Sequence, residues 1–150
     1  MPTLEPGSAA PEVPGVDYAL GPTVVYFYKV DCPVCQAAAP RVQAFELAYS
    51  GRIVGVGQDP EDALDRFGRE FGMSFRRVAD LPPYPVSSAF GVEVVPTTFL
   101  VSPEGRVLEA VESWDRQGLN RVSERLAALL GAKAVPVSEP GDGLPDFRPG

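Results

Sequence analysis

"TVVYFYKVDCPVCQAAAPRV", residues 23–42, decides how this chain is read. Residues 23–30 form a nearly unbroken β-branched and aromatic run, the composition of a strand buried on both faces, as in a parallel sheet. The run stops at Asp31. Cys32 and Cys35 follow; they are the only cysteines in the chain, and histidine is absent. From Cys35 onward the pattern turns helical, with Ala38, Val42, Phe45 and Tyr49 recurring at spacings of three and four. Gly51 supplies a stop, and Pro40 is expected to kink the helix. The cysteine pair therefore sits at a strand-to-helix corner.

Two cysteines at this spacing have three uses: a redox pair, half of a metal site, or inert packing. The corner position favours the first. A helix N-terminus carries roughly +0.5 of a charge and free N–H groups, and both stabilise a thiolate. Cys32 is thus the expected nucleophile, because thiolate is the attacking species in disulfide exchange. Cys35 lies one turn further in and is expected to be the resolving thiol. Pro33 at the first helical turn removes only an N–H that would be orphaned anyway, and it stiffens the loop. A zinc site draws on more ligands than two thiolates and no imidazole provide. The missing histidine also removes the Cys–His pair on which thiol hydrolases and acyl transferases rely. Proton handling falls to water, a carboxylate or Cys35 itself. Asp31, next to the nucleophile, is a candidate for it, although its charge opposes the thiolate.

Further along, "RIVGVGQ" (52–58) reads as a second buried strand. In "DPEDALDRFGREFG" (59–72), Asp59 is the expected N-cap and Pro60 the first helical residue. Leu64, Phe67 and Phe71 make the apolar face, and Gly72 the stop. Residues 74–80 are expected to form a short strand and 86–91 about a turn of helix. "TTFLVSPEGRVLEAVES" (97–113) reads as a hairpin around "PEG". Leu119, Val122, Leu126 and Leu129 mark an amphipathic helix ending at Gly131. Trp114 is expected to be a packing aromatic. The fold class is therefore α/β, a mixed sheet flanked by helices. Residues 1–21 are expected as an extended arm, 22–131 as the domain, and 132–150, rich in Pro and Gly, as a flexible tail.

At 150 residues the chain suits one domain, and 45% apolar content is ordinary globular usage. A net charge of −7 with no basic run disfavours nucleic acid and anionic membranes as partners. No apolar stretch reaches the roughly 18 residues a membrane helix needs. "MPTLEPGSAAPEVPG" (1–15) has neither a basic nor an apolar leader region, so the expected location is cytoplasmic, or extracytoplasmic if a leader has been removed.

Taken together, "VVYFYKVDCPVCQAAAP" (24–40), "VEVVPTTFLVSPEGRV" (92–107) and the helix and strand expected at 59–80 resemble the thioredoxin superfamily, specifically its TlpA/ResA-like thiol-disulfide oxidoreductases. The extra helix and strand is an insertion that this branch shares with peroxiredoxins. The resemblance implies a thioredoxin-like fold and an activity that cycles a Cys32–Cys35 disulfide, more as a reductase than as an oxidase. It implies that Pro96 is a cis-proline facing the cysteines. Val95 would pair through its backbone with an extended substrate segment, a short β-augmentation. Pro33 and Val34 would complete the substrate-binding surface. The expected partners are a disulfide-containing protein substrate and an upstream thiol reductant. The expected state is a monomer, with no cofactor beyond the disulfide and no metal. Three positions depart from the family pattern: Asp31 replaces the usual Trp, Ala38 a frequent acid, and Tyr26 a buried acid. Two alternatives stand beside this reading. Peroxiredoxin-like peroxide reduction lacks its Thr or Ser, since Lys29 lies three before Cys32. The other is a non-enzymatic thiolate site for Cu(I), which soft ligands select.

Overall fold

The structure is a computed structural model and describes residues 3–150. Strand β1 (Thr23–Tyr28) is followed by helix α1 (Pro33–Ala48), β2 (Ile53–Gly57), α2 (Glu61–Phe71), β3 (Arg77–Ala79) and the short α3 (Pro85–Ala89). The hairpin β4 (Thr97–Val101) and β5 (Val107–Glu112) comes next, then β6 (Trp114–Asp115), α4 (Arg116–Leu130) and β7 (Phe147–Arg148). The main sheet has the order β3-β2-β1-β4-β5. β1, β2 and β3 pair in parallel, while β4 is antiparallel to both β1 and β5. The observed architecture is thus the mixed α/β sheet flanked by helices that the sequence implied.

Chirality explains where the helices go. Both β1–α1–β2 and β2–α2–β3 step in the same direction across the sheet, so right-handed crossovers place α1 and α2 on one face. Val24, Tyr26 and Tyr28 of β1 point into that face, where they meet Phe45, Leu64, Phe67 and, from α4, Leu126. Val25 and Phe27 alternate to the other face, against Phe90, Phe99 and Val13. Phe27 is fully buried, with ring centroids 5.0 Å from Phe90 and 5.7 Å from Phe99. Gly57 is the close-approach point on β2. A Cβ there would lie 2.3 Å from a methyl carbon of Leu64, so any side chain at this position would force Leu64 of α2 to shift.

The N-terminal arm covers the second face as an added edge. Gly7 N–H donates to the Val107 carbonyl at 2.8 Å and Val107 N–H to Ser8 at 2.9 Å, and Val13 is buried at 2% exposure. Residues 132–150, expected as a flexible tail, instead run as a strap across α4. Polar side chains satisfy the strap's backbone. Val135 N–H donates to the Tyr49 hydroxyl at 2.8 Å, and Val137 N–H to Asn120 Oδ1 at 2.8 Å. Val137 is 5% exposed and packs into the α1/α4 cluster. Arg116, itself buried, donates to the Leu144 carbonyl at 2.6 Å and pairs with Asp146. Trp114 is buried, and its Nε1–H donates to the Pro145 carbonyl at 2.7 Å. The strap ends in β7, paired antiparallel with β6.

Three local expectations differ from the structure. The α2 N-cap position is Pro60 rather than Asp59, and no side chain caps it. The 74–80 strand shortens to β3, and Phe75 packs into the core instead of pairing. Leu129 faces outward at 47% exposure, so the buried stripe of α4 is Leu119, Val122 and Leu126. Among the described residues no helix is long and apolar enough to cross a membrane.

Phe27→Ala should destabilise the fold by about 3–5 kcal/mol, the usual cost of deleting a fully buried aromatic ring. Urea unfolding followed by circular dichroism measures this; a loss within about 0.5 kcal/mol, as at a surface site, would contradict the packing described.

Candidate active site

β1 ends at Tyr28, and the chain turns over Lys29–Asp31 to begin α1. Two polar side chains clamp this turn. Val30 N–H donates to Asp59 Oδ2 at 2.9 Å, and the Val30 carbonyl accepts from Gln36 Nε2 at 2.8 Å. Asp59 is thus used on the neighbouring turn rather than on its own helix. The parallel register puts it there: Tyr28 pairs with Gly57, so Val30 lies opposite Asp59. Gln36 carries no signal in the sequence, and Asp59 is expected there only as the α2 N-cap; the strand register is the signal that could have placed it on this turn.

Cys32 is the N-cap residue of α1, with Pro33 at the first helical position. Its Sγ accepts from Cys35 N–H at 3.1 Å. The hydrogen bond from the Cys35 thiol, joined by backbone N–H groups of Cys35 and Val34, lowers the Cys32 pKa to about 6, against the opposing effects of partial burial and of Asp31. The partner shifts the other way. Cys35 has no exposed surface, and giving its proton to the shared hydrogen bond, together with burial, raises its pKa far above the usual thiol range. Both cysteines are free thiols in this structure, Cys32 half-buried and Cys35 buried.

Facing the pair is the loop before β4. The Val95–Pro96 bond is cis, and so is Pro82–Pro83. The Val95 carbonyl lies 3.6 Å from Cys32 Sγ and accepts from it when Cys32 is protonated. Two contacts hold the loop: Thr97 Oγ1 donates to the Val94 carbonyl at 2.7 Å, and Ser113 N–H to the Pro96 carbonyl at 2.7 Å. On one flank opens a cleft of about 260 Å³ lined by Lys29, Gln58, Tyr84, Ser87 and Val95. Asp80, 2% exposed, builds this side by accepting from the Ser87 N–H at 2.8 Å and the Ser87 hydroxyl at 2.7 Å, which fixes the start of α3.

The structure brings Cys32, Cys35, Val95 and Pro96 together. Pro33 and Asp31 are exposed beside them. Val34 does not join the surface. Its side chain is 6% exposed and packs into the α1 core cluster, because the first turn of α1 points it inward. Tyr26, standing where a buried acid was noted as missing, is buried with its hydroxyl unpaired, as is that of Tyr28. Burial holds the Tyr26 phenol well above its usual pKa and raises Tyr28 to about 12, so both rings stay neutral. Among the described residues no group of three or more Cys, Asp or Glu is gathered in a way that could hold a metal ion.

A mixed sheet carrying a low-pKa and a buried cysteine at the N-terminus of α1, opposite a proline loop, defines the class as a thioredoxin-like dithiol protein. Residues 8–110 match the AhpC/TSA family, and the chain belongs to it. A thiol:disulfide interchange protein DsbE homolog from Paracoccus denitrificans is 35% identical over 89 residues, 59% of this chain and 49% of that protein. The chain therefore spans about half the length of that relative. The structure of DsbF from MTB, in mixed oxidised and reduced forms, is similar at a TM-score of 0.61 and 29% identity, covering 72% of this chain and 80% of that one. The thioredoxin domain of a thiol-disulfide oxidoreductase from Bacteroides vulgatus shares the fold at a TM-score of 0.70 and 22% identity, covering 83% and 99%.

The pH dependence follows from the Cys32 shift. Only the thiolate alkylates, so the iodoacetamide rate at Cys32 should rise with pH through a midpoint near 6 and level off above it. Cys35→Ala removes the thiol donor and should move the midpoint upward, while Cys35→Ser, which keeps an O–H donor, should move it less. A midpoint that stays at the ordinary thiol value of about 8.5 in the parent would contradict the arrangement.

Proposed function

We propose that this protein is a thiol-disulfide oxidoreductase that reduces disulfides in protein substrates. The observation that carries the reading is the division of labour between the two sulfurs: Cys32 half-buried with a lowered pKa, and Cys35 fully buried and holding its proton. The likeness to interchange proteins supports it.

The Cys32 thiolate attacks one sulfur of the substrate disulfide. A Cys32–substrate disulfide forms, the substrate S–S bond breaks, and the leaving thiolate takes a proton. Cys35 then gives up its proton, which its hydrogen bond to Cys32 no longer holds, and attacks Cys32 Sγ. The second substrate thiol leaves, and two electrons have passed from the dithiol to the substrate. An upstream thiol reductant returns them. The redox group is the cysteine pair itself, with no resident cofactor. The Val95 carbonyl and the cleft beside it are the docking surface, where an extended substrate segment pairs by its backbone. Asp31 is a solvated acid whose charge limits how far the Cys32 pKa falls.

Insulin reduction driven by dithiothreitol tests the reading. Cys32→Ser should remove catalysed turnover entirely, and Cys35→Ser should accumulate a covalent Cys32–insulin adduct visible by mass. Parent-like turnover in Cys32→Ser would refute the assignment.

A further inference from the structure

The strap does not stop at α4. After β7 pairs with β6, Pro149 and Gly150 run on to the proline loop. Gly150 N–H donates to the Ser113 hydroxyl at 3.0 Å. Its Cα lies so close to the loop that an added Cβ would sit 2.2 Å from the Val95 carbonyl oxygen and 2.8 Å from the carbonyl carbon. That carbonyl is the one that faces Cys32 Sγ at 3.6 Å. An extended segment of this chain therefore already stands at the backbone acceptor assigned above to substrate.

We propose that residues 147–150 are a specificity element of the dithiol site, a built-in strand that covers the Val95 carbonyl and that an extended protein substrate must displace. The inference rests on the disulfide-exchange reading. Three features fit this role better than simple bracing. At the loop the segment is held by one hydrogen bond, from the Gly150 N–H to the Ser113 hydroxyl, a hold that an incoming strand can displace. Pro149 has no N–H to continue the ladder beyond β7, so the hold weakens toward the site. Phe147 is 55% exposed and Arg148 is exposed too, so no side-chain burial locks the segment down. The firm anchors, at Arg116, Asn120 and Tyr49, lie upstream. Cys32 stays partly open, so small disulfides that need no backbone docking reach it. A covered site loses apparent affinity in proportion to the fraction of time it is covered.

The test compares three proteins: the chain of residues 1–150, a chain ending at Leu144, and Gly150→Ala. The last places a methyl group 2.2 Å from the Val95 carbonyl oxygen, so the segment has to move off the loop while the loop's own contacts stay. Each is assayed with insulin and with dithiobis(nitrobenzoate), a small disulfide. Gly150→Ala should raise kcat/KM for insulin about fivefold, the worth of the one net hydrogen bond it breaks, and the shortened chain should raise it at least as much. The rate with the small disulfide should stay the same in all three. Unchanged insulin kinetics in Gly150→Ala would overturn the proposal even if the shortened chain fails to fold. Equal gains with both disulfides would also overturn it, because the segment would then act on Cys32 itself. A full chain inert toward both disulfides would refute the exchange reading and this inference with it. Normal small-disulfide activity with unmoved insulin rates refutes the inference alone.

Discussion

A thiolate needs donors, and here they come from the first turn of α1 and from the thiol one turn inside it. The Cys35 N–H donates to Cys32 Sγ at 3.1 Å, and the Cys35 thiol beside it lowers the Cys32 pKa. This arrangement exists only if β1 ends and α1 begins at the right residues, and much of the structure serves that junction. The fully buried β1 fixes the end of the sheet from which the chain emerges. Asp59 and Gln36 hold the turn from either side. The α1/α4 cluster keeps Cys35 away from water, which makes one thiol nucleophilic and the other a reserve.

The same logic makes sense of the chain's odd chemistry. It has no histidine, and at the buried position behind the site it carries neutral tyrosines in place of an acid. Neither tyrosine supplies the acid that is missing there. Asp31 lies on the open side of the site and disfavours negative charge on Cys32 without preventing it.

The core of this was legible in sequence. An apolar run into CPVC dictates strand, corner and helix N-terminus, and these place Cys32 at the start of α1 and Cys35 buried one turn inside it. The Pro96 loop was legible through likeness. What escaped the reading is contact between irregular segments, which has no period. The strap looked free because 132–150 has little apolar patterning, yet Asn120, Tyr49 and Arg116 satisfy its backbone one group at a time. Val34 was misplaced because a four-residue motif does not say which way its inner residues point. Asp59 was read as a cap because local rules favour that use, whereas its bond crosses to the neighbouring strand's turn.

On the exchange reading, the Cys32–Cys35 pair passes two electrons to and from other disulfides, with a poise set by the Cys32 thiolate. Equilibration against glutathione or dithiothreitol buffers, read as dithiol and disulfide by mass, tests it directly. Stabilising the thiolate favours the reduced form, so the potential should lie between about −270 and −120 mV, the span from strong disulfide reductants to strong oxidants. It should sit nearer the reductant end, because a thiol pKa of about 6 is closer to the reductants' value near 7 than to the oxidants' near 3.5. A single transition there is the expected result. Failure to form the internal disulfide under any buffer, or a potential at the oxidant end, would contradict it.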